Sequence, residues 1–204
     1  MSLATTVALL VFGYLCGSIP FSYLVGRTQG VDLRKVGSGN TGASNVWRAI
    51  GFKPFVVALA LDILKGFVPT AVAYHVLHAS PWVVVAVGFA AIAGHAFPAF
   101  MRFHGGKSVA TTGGVMLAMQ PVLLLASAIV WTIIYKLTGY PSVSSLLGIV
   151  IIAVASTIMT SMGVLPAAFC FFVWASLVIM FYLHRANIQR LMQGTENRIQ
   201  RKAK

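Results

Sequence analysis

Three segments of this chain combine flexible or amide-bearing backbone with a cationic side chain: GSGNTGASNVWR at 37 to 48, GGKSVATTGG at 105 to 114 and HRANIQRLMQGTENR at 184 to 198. That combination is the chemistry of holding a phosphate-like anion. In the first, Gly37, Gly39 and Gly42 let successive N–H groups turn towards one point. Ser38, Asn40 and Asn45 add side-chain donors, and Arg48 can clamp two oxygens in a bidentate fork. In the second, Gly105 and Gly106 permit close backbone approach, and Lys107 sets a point charge at the start of a helix whose first N–H groups have no partner. It is not a nucleotide P-loop, because the GxxxxGK spacing and a preceding strand are missing. In the third, His184 and Asn187 are three apart at the end of an apolar run and so share a face, with Arg190 a turn further and Glu196 beyond. The plainer readings are a tight return loop, a lysine that serves topology and a basic tail on an anionic membrane. Flanking arginines in the first segment, and the conformational cost of Gly-Gly in the second, favour function.

The carboxylates limit the chemistry. The chain has only Asp32, Asp62 and Glu196, so paired-carboxylate catalysis, a carboxylate-rich divalent-metal site and a Ser-His-Asp triad all lack parts. No metal site is expected: His95 and His104 have neither carboxylates nor cysteines at ligand spacing and read as satisfied interior or interfacial histidines. What remains is binding of multiply charged anions with electrostatic stabilisation, the proton going to the substrate or to a histidine. Asp62 and Lys65 sit three apart within an apolar run; buried membrane charges suggest function, but a mutually neutralising pair that packs helices explains them equally well, and the pair is taken as structural. A serine of SVSSL at 142 to 146 either caps a helix, the commoner role for any one of them, or touches a ligand.

Positioning these segments requires a membrane. The 204 residues are 58% hydrophobic and 9% charged, against roughly 25% charged in a soluble domain. Apolar runs predict spans at about 3 to 26, 54 to 77, 81 to 100, 108 to 120, 121 to 137, 143 to 162 and 164 to 184, with Gln120-Pro121 breaking what would otherwise be an over-long helix. Of the 15 Lys and Arg residues, all but Lys65 then fall in loops on one side or in the C-terminal tail. The positive-inside rule accordingly predicts an all-α integral membrane protein of seven transmembrane helices, N-terminus outside and C-terminus cytoplasmic, with all three polar segments on the cytoplasmic side. The first run has no Lys or Arg ahead of it and reads as a retained span rather than a signal peptide. Cys16 and Cys170 read as core thiols. The net charge of +12 is spread over several short loops, which argues against nucleic acid. Residues 1 to 204 read as a single membrane-embedded domain without repeats.

Taken in order, GSIPFSYL, DLRKVGSGNTGASNVWR, LDILKG, GHAFPAFMRFHGGKSVAT, SVSSL and HRANIQRLMQGTENR resemble the bacterial acyl-phosphate:glycerol-3-phosphate acyltransferases along nearly the whole chain. The resemblance implies seven membrane helices and a site opening to the cytoplasm of the bacterial inner membrane. It implies transfer of a fatty acyl group from acyl phosphate to the 1-hydroxyl of glycerol 3-phosphate, giving lysophosphatidate without a cofactor. It places substrate contacts on Ser38, Asn40, Arg48, Lys107, Ser145, His184 and Asn187. Of these, Ser38, Lys107 and His184 are expected to be catalytic; the binding set is completed by Gly37, Gly39, Asn45, Gly105 and Gly106. The expected partners are the two substrates and membrane lipid, with the protein a monomer. Ser44 and Ser108 depart from the family, which usually has Thr and Gly at those positions. Two rivals fit less well: a transporter, which would want internal symmetry and basic segments on both faces, and an acyl-CoA enzyme of the His-x4-Asp type, since no histidine here has that spacing.

Overall fold

The computed structural model describes residues 1–199, so Arg201, Lys202 and Lys204, expected in the basic tail, lie outside the described residues. Every expected apolar run is helical. α1 (Leu3–Ser18) breaks at Ile19-Pro20 and resumes as α2 (Phe21–Thr28); α3 (Ala43–Ala49) is a short helix leading into α4 (Phe52–Ala71), which runs on through a π turn at Val72–Val76. α5 (Pro81–Ala96), α6 (Val109–Met119), α7 (Pro121–Thr138), α8 (Pro141–Ser161), α9 (Ala167–Leu183) and α10 (Arg185–Met192) complete the order. Proline starts α5, α7 and α8 at their first turn, where its missing N–H costs nothing. The break foreseen at Gln120-Pro121 is present, with Gln120 extended between α6 and α7.

Among the described residues, five segments are long and apolar enough to cross a membrane, or six if α9 and α10, bent by 60° at His184, form one span. The sequence suggests seven. The difference falls on the segment expected at 108 to 120: α6 has 11 residues, about 16 Å at 1.5 Å per residue against a core of about 30 Å. α6 lies against α4, and most of its side chains are buried.

The bundle is drawn together by small residues. α1 meets α5 where a Cβ at Gly17 would run into the backbone of Ala91 and one at Gly94 into that of Tyr14; α4 meets α6 where Gly66 faces Thr111 and Gly114 faces Ile63. Such contacts let dispersion act at short range between apolar helices in lipid. A core led by Phe169, Phe172, Ile92, Met116 and Ile152 fills the rest. A smaller cluster, Leu33, Val46, Phe55 and Ala58, seats the 30 to 50 segment on α4, and Trp47 stacks on Phe55 with ring centroids 4.6 Å apart.

Candidate active site

The loop from 36 to 42 turns on two glycines with positive φ, Gly37 at 59° and Gly39 at 69°, and is fastened from within by Asn45. The Asn45 amide donates to the carbonyls of Leu33 and Val36, both at 3.0 Å, and its oxygen accepts from the Ser38 N–H at 3.0 Å and from Arg48 at 3.3 Å. Asn45, foreseen as a donor to ligand, is therefore committed on both ends to the protein. Gly39 N–H donates to the Val36 carbonyl and Gly42 N–H to the Asn40 side chain. Three of the amides that a nest would aim outward are thus used within the loop, and what it presents is chiefly Arg48. That guanidinium reaches Ser38 Oγ at 3.5 Å and the carbonyl of Asn197 at 3.2 Å, while its Nε is buried without a hydrogen-bond partner.

Lys107 arrives from another direction. Gly105 and Gly106 N–H groups donate to the carbonyls of Ala96 and His95, capping the C-terminus of α5. Lys107 then donates to Asn187 Oδ1 of α10. Burial pulls the Lys107 ammonium down to about 8; Arg190 and Arg48 push the same way and Glu196 opposes them. Burial likewise lowers Arg48.

Glu196 ties the third segment together. One of its oxygens accepts from Asn187 at 2.6 Å and from Ser142 at 2.8 Å, and the other takes Arg190 at 2.8 Å. Burial raises its pKa, but those three donors more than offset this and hold it below the usual carboxylate value. His184 is buried at the bend between α9 and α10; its Nδ1 is 2.8 Å from the Met180 carbonyl, and since a carbonyl only accepts, that nitrogen carries the proton and Nε2 is the free acceptor.

The three segments are therefore brought together in space where α6 and α8 begin and α9 ends. Arg48, Lys107 and Arg190 act on one another there and on a single carboxylate, a surplus of two positive charges that suits a phosphate dianion. Among the residues expected from sequence, Ser38, Asn45, Arg48, Lys107 and Asn187 are joined by these hydrogen bonds. Ser145 is not: its hydroxyl donates to the Pro141 carbonyl and accepts from Trp131 at 3.0 Å. Ser142, one turn nearer the helix start, is the serine in the network. Ser142, Arg190 and Glu196, though noted within their segments, were not among the residues assigned to the site. The signal for them was present, because a lone carboxylate inside a basic segment has to be paired.

A helical membrane bundle with a half-buried cationic cluster at the mouths of its helices is the frame of a membrane protein that handles an anion. The comparisons with known proteins narrow this. The family model described as glycerol-3-phosphate acyltransferase matches residues 7–194, and the chain belongs to that family. A glycerol-3-phosphate acyltransferase of Roseiflexus sp. (strain RS-1) is 45% identical over 98% of both chains. One of Aquifex aeolicus (strain VF5) is 39% identical over 93% of this chain and 97% of its own. Among solved structures, the glycerol 3-phosphate form of PlsY (YgiH), an integral membrane glycerol 3-phosphate acyltransferase, superposes with a TM-score of 0.88 at 38% identity, covering 96% of each chain. Its lysophosphatidic acid form gives 0.86 at 37%, covering 95% of each. The family resemblance drawn from the motifs is thus established, as is an all-helical integral membrane fold like that of PlsY.

Proposed function

We propose that this enzyme transfers a fatty acyl group from acyl phosphate to the 1-hydroxyl of glycerol 3-phosphate, releasing lysophosphatidate and inorganic phosphate. The observation that carries the reading is the convergence of Arg48, Lys107 and the His184 to Asn187 turn, from three distant segments, on one site whose cations are half-buried around buried His184, Asn187 and Glu196. Both substrates are phosphates, and so is the leaving group. The hydroxyl oxygen attacks the acyl carbon and forms the ester as the bond from acyl carbon to phosphate oxygen breaks. A phosphate oxygen takes the hydroxyl proton, since no carboxylate at the site is free to do so: Glu196 is held by three donors. Nε2 of His184 is the alternative acceptor or an orienting group. Lys107 and Arg48 neutralise phosphate charge and hold the two substrates in contact. Ser38 and Asn40 complete the substrate contacts, Ser145 being engaged by Trp131 and the Pro141 carbonyl, and no metal or organic cofactor has a part.

In the same reading, seven helices cross the bacterial inner membrane with the N-terminus outside and the site facing the cytoplasm, and the protein works as a monomer. The segregation of loop charge supports this. A short α6 is tolerable there because α4 covers it and its ends need not meet lipid.

The test is purified protein with glycerol 3-phosphate, offered acyl phosphate, acyl-CoA or acyl carrier protein thioester separately. Lysophosphatidate from acyl phosphate alone is the expected result; product from a thioester alone overturns the donor assignment. For the orientation, cysteines placed at Ser80 and Ser161, both exposed, in a background lacking Cys16 and Cys170, should label from outside the cell.

A further inference from the structure

A second charged cluster lies inside the bundle, and the reaction as described does not use it. Asp62 and Lys65 of α4 form an ion pair at 2.9 Å. The other carboxylate oxygen of Asp62 accepts from Ser22 at 2.6 Å, and Lys65 donates to the carbonyl of Ile19 at 2.9 Å, so the pair is bolted to the α1–α2 break. All of these side chains are buried. His95 stands beside them with Nδ1 3.9 Å from Asp62 Oδ1, too long for a hydrogen bond; that oxygen is taken by Lys65, and His95 Nδ1 has no hydrogen-bond partner. Buried polar atoms without partners are uncommon and call for an explanation. A histidine kept only to fill apolar space would be better replaced by an apolar side chain.

The other edge of the ring supplies the explanation. His95 Nε2 lies against Gly106, so that the three nearest atoms a Cβ there would meet all belong to the His95 ring. Gly106 N–H donates to the His95 carbonyl and Gly105 N–H to that of Ala96. Gly106 does not adopt a positive φ, so its backbone conformation does not demand glycine, whereas the imidazole stands where a Cβ would go. The residue that follows is Lys107. A small cavity joins the Asp62, Lys65 and His95 side chains to Gly105, Gly106 and Thr41 of the first glycine-rich loop.

We propose that His95 is a positioning residue: its ring, backed by the Asp62–Lys65 pair, is the stop against which the Gly105–Gly106 turn rests, and it thereby sets where Lys107 meets substrate phosphate. This rests on the acyltransferase reading above. His95 itself touches no substrate.

The experiment is an exchange of sizes across the contact, using the full chain in detergent or vesicles with acyl phosphate and glycerol 3-phosphate. Gly106→Ala alone should lower kcat/KM at least about tenfold by colliding with the ring, whereas in a His95→Ala background the same change should cost less than about threefold, the non-additivity of residues in contact. His95→Ala should also raise KM for at least one of the two phosphate substrates. A ring that merely filled the core would instead reduce kcat with the loss of folded protein and leave KM alone. If His95→Ala is not recovered folded, His95→Gln serves as the background. An equal cost of Gly106→Ala in both backgrounds overturns the proposal, and so does a Gly106→Ala variant as active as the wild type. A wild-type protein that makes no lysophosphatidate overturns the functional reading instead, so the two failures are told apart.

Discussion

The two glycine-bearing loops of the site use glycine differently. In the loop from 36 to 42 it is needed first for conformation: Gly37 and Gly39 adopt φ values of 59° and 69°, which side chains with a Cβ take at a cost; Asn45 of the adjoining α3 does the fastening, and a Cβ at Gly37 would also meet its oxygen. At 105 and 106 it is needed for proximity: neither glycine has positive φ, and both press against the end of α5. There the strained backbone is carried by residues with side chains, Arg102, Phe103 and Ser108, at φ values of 50°, 60° and 59°. One cation is thus delivered by a self-organised loop and the other by a loop clamped to a helix. In the proposed reaction, where two phosphates are held at fixed separation, anchoring the two charges to different supports lets each be set independently.

The largest effects should come from the charges themselves. Lys107→Ala and Arg48→Ala are each expected to cost ~2–5 kcal/mol in transition-state stabilisation, as for desolvated charge contacts, without unfolding the protein. Arg48→Lys should recover little, because an ammonium cannot reproduce a planar fork. Lys136, exposed on α7, provides the control, and Lys136→Ala should match the wild type. Equal activity of all three alanine variants per folded protein would mean that the cations serve topology alone and would end the comparison.

Smaller effects should separate the two supports. Asn45→Ala removes the fastening of the first loop, a loss on the order of 1–3 kcal/mol for the polar groups left unpaired, and it should act through Arg48 only. Gly105→Ala drives a Cβ into the His95 and Ala96 carbonyls and should act through Lys107 only. Kinetics against pH distinguishes them. Since Lys107 is held at about 8 and is needed protonated, kcat/KM should fall as pH rises through that value, roughly tenfold per unit well above it. Asn45→Ala should keep this alkaline limb, and Gly105→Ala should move it. A limb that stays unmoved in both variants would show that Lys107 does not depend on the α5 clamp.

Much of this was legible beforehand, and the gaps have physical causes. Apolar runs locate every long helix because lipid demands them. Spacing also set Asp62 and Lys65 on one helical face, where an i, i+3 pair can meet, and they do. Long-range partners were the part that sequence does not encode locally. Asn45 reads as a free donor until the fold places Leu33 and Val36 carbonyls beside it. Ser142 and Ser145 are alike in sequence, and only the position of Glu196 distinguishes them. His95 reads as a satisfied interior residue, and the structure leaves its Nδ1 without a partner. The span count turns on α6, which is apolar but short, and composition does not reveal that α4 covers it.

The smallest expected effect is the most specific to this chain. Ser108 follows Lys107 at φ 59°, where a Cβ costs roughly 1–2 kcal/mol, but its hydroxyl donates to the Ile92 carbonyl of α5 at 3.1 Å, a return of about 0.5–1.5 kcal/mol. Ser108→Gly gives up the bond and the strain together, so thermal stability in detergent should change by less than about 1 kcal/mol. Ser108→Ala gives up the bond and keeps the strain, and it should be the less stable variant by about 1 kcal/mol. The order, serine near glycine and both above alanine, is what melting curves must show if the second loop is strained and clamped as described. Alanine equal to serine would mean that the hydroxyl contributes nothing, and glycine well above serine would mean that the strain outweighs the clamp. In either case the contrast between a loop relaxed by glycine and a loop held against a helix would lose its energetic basis at this residue.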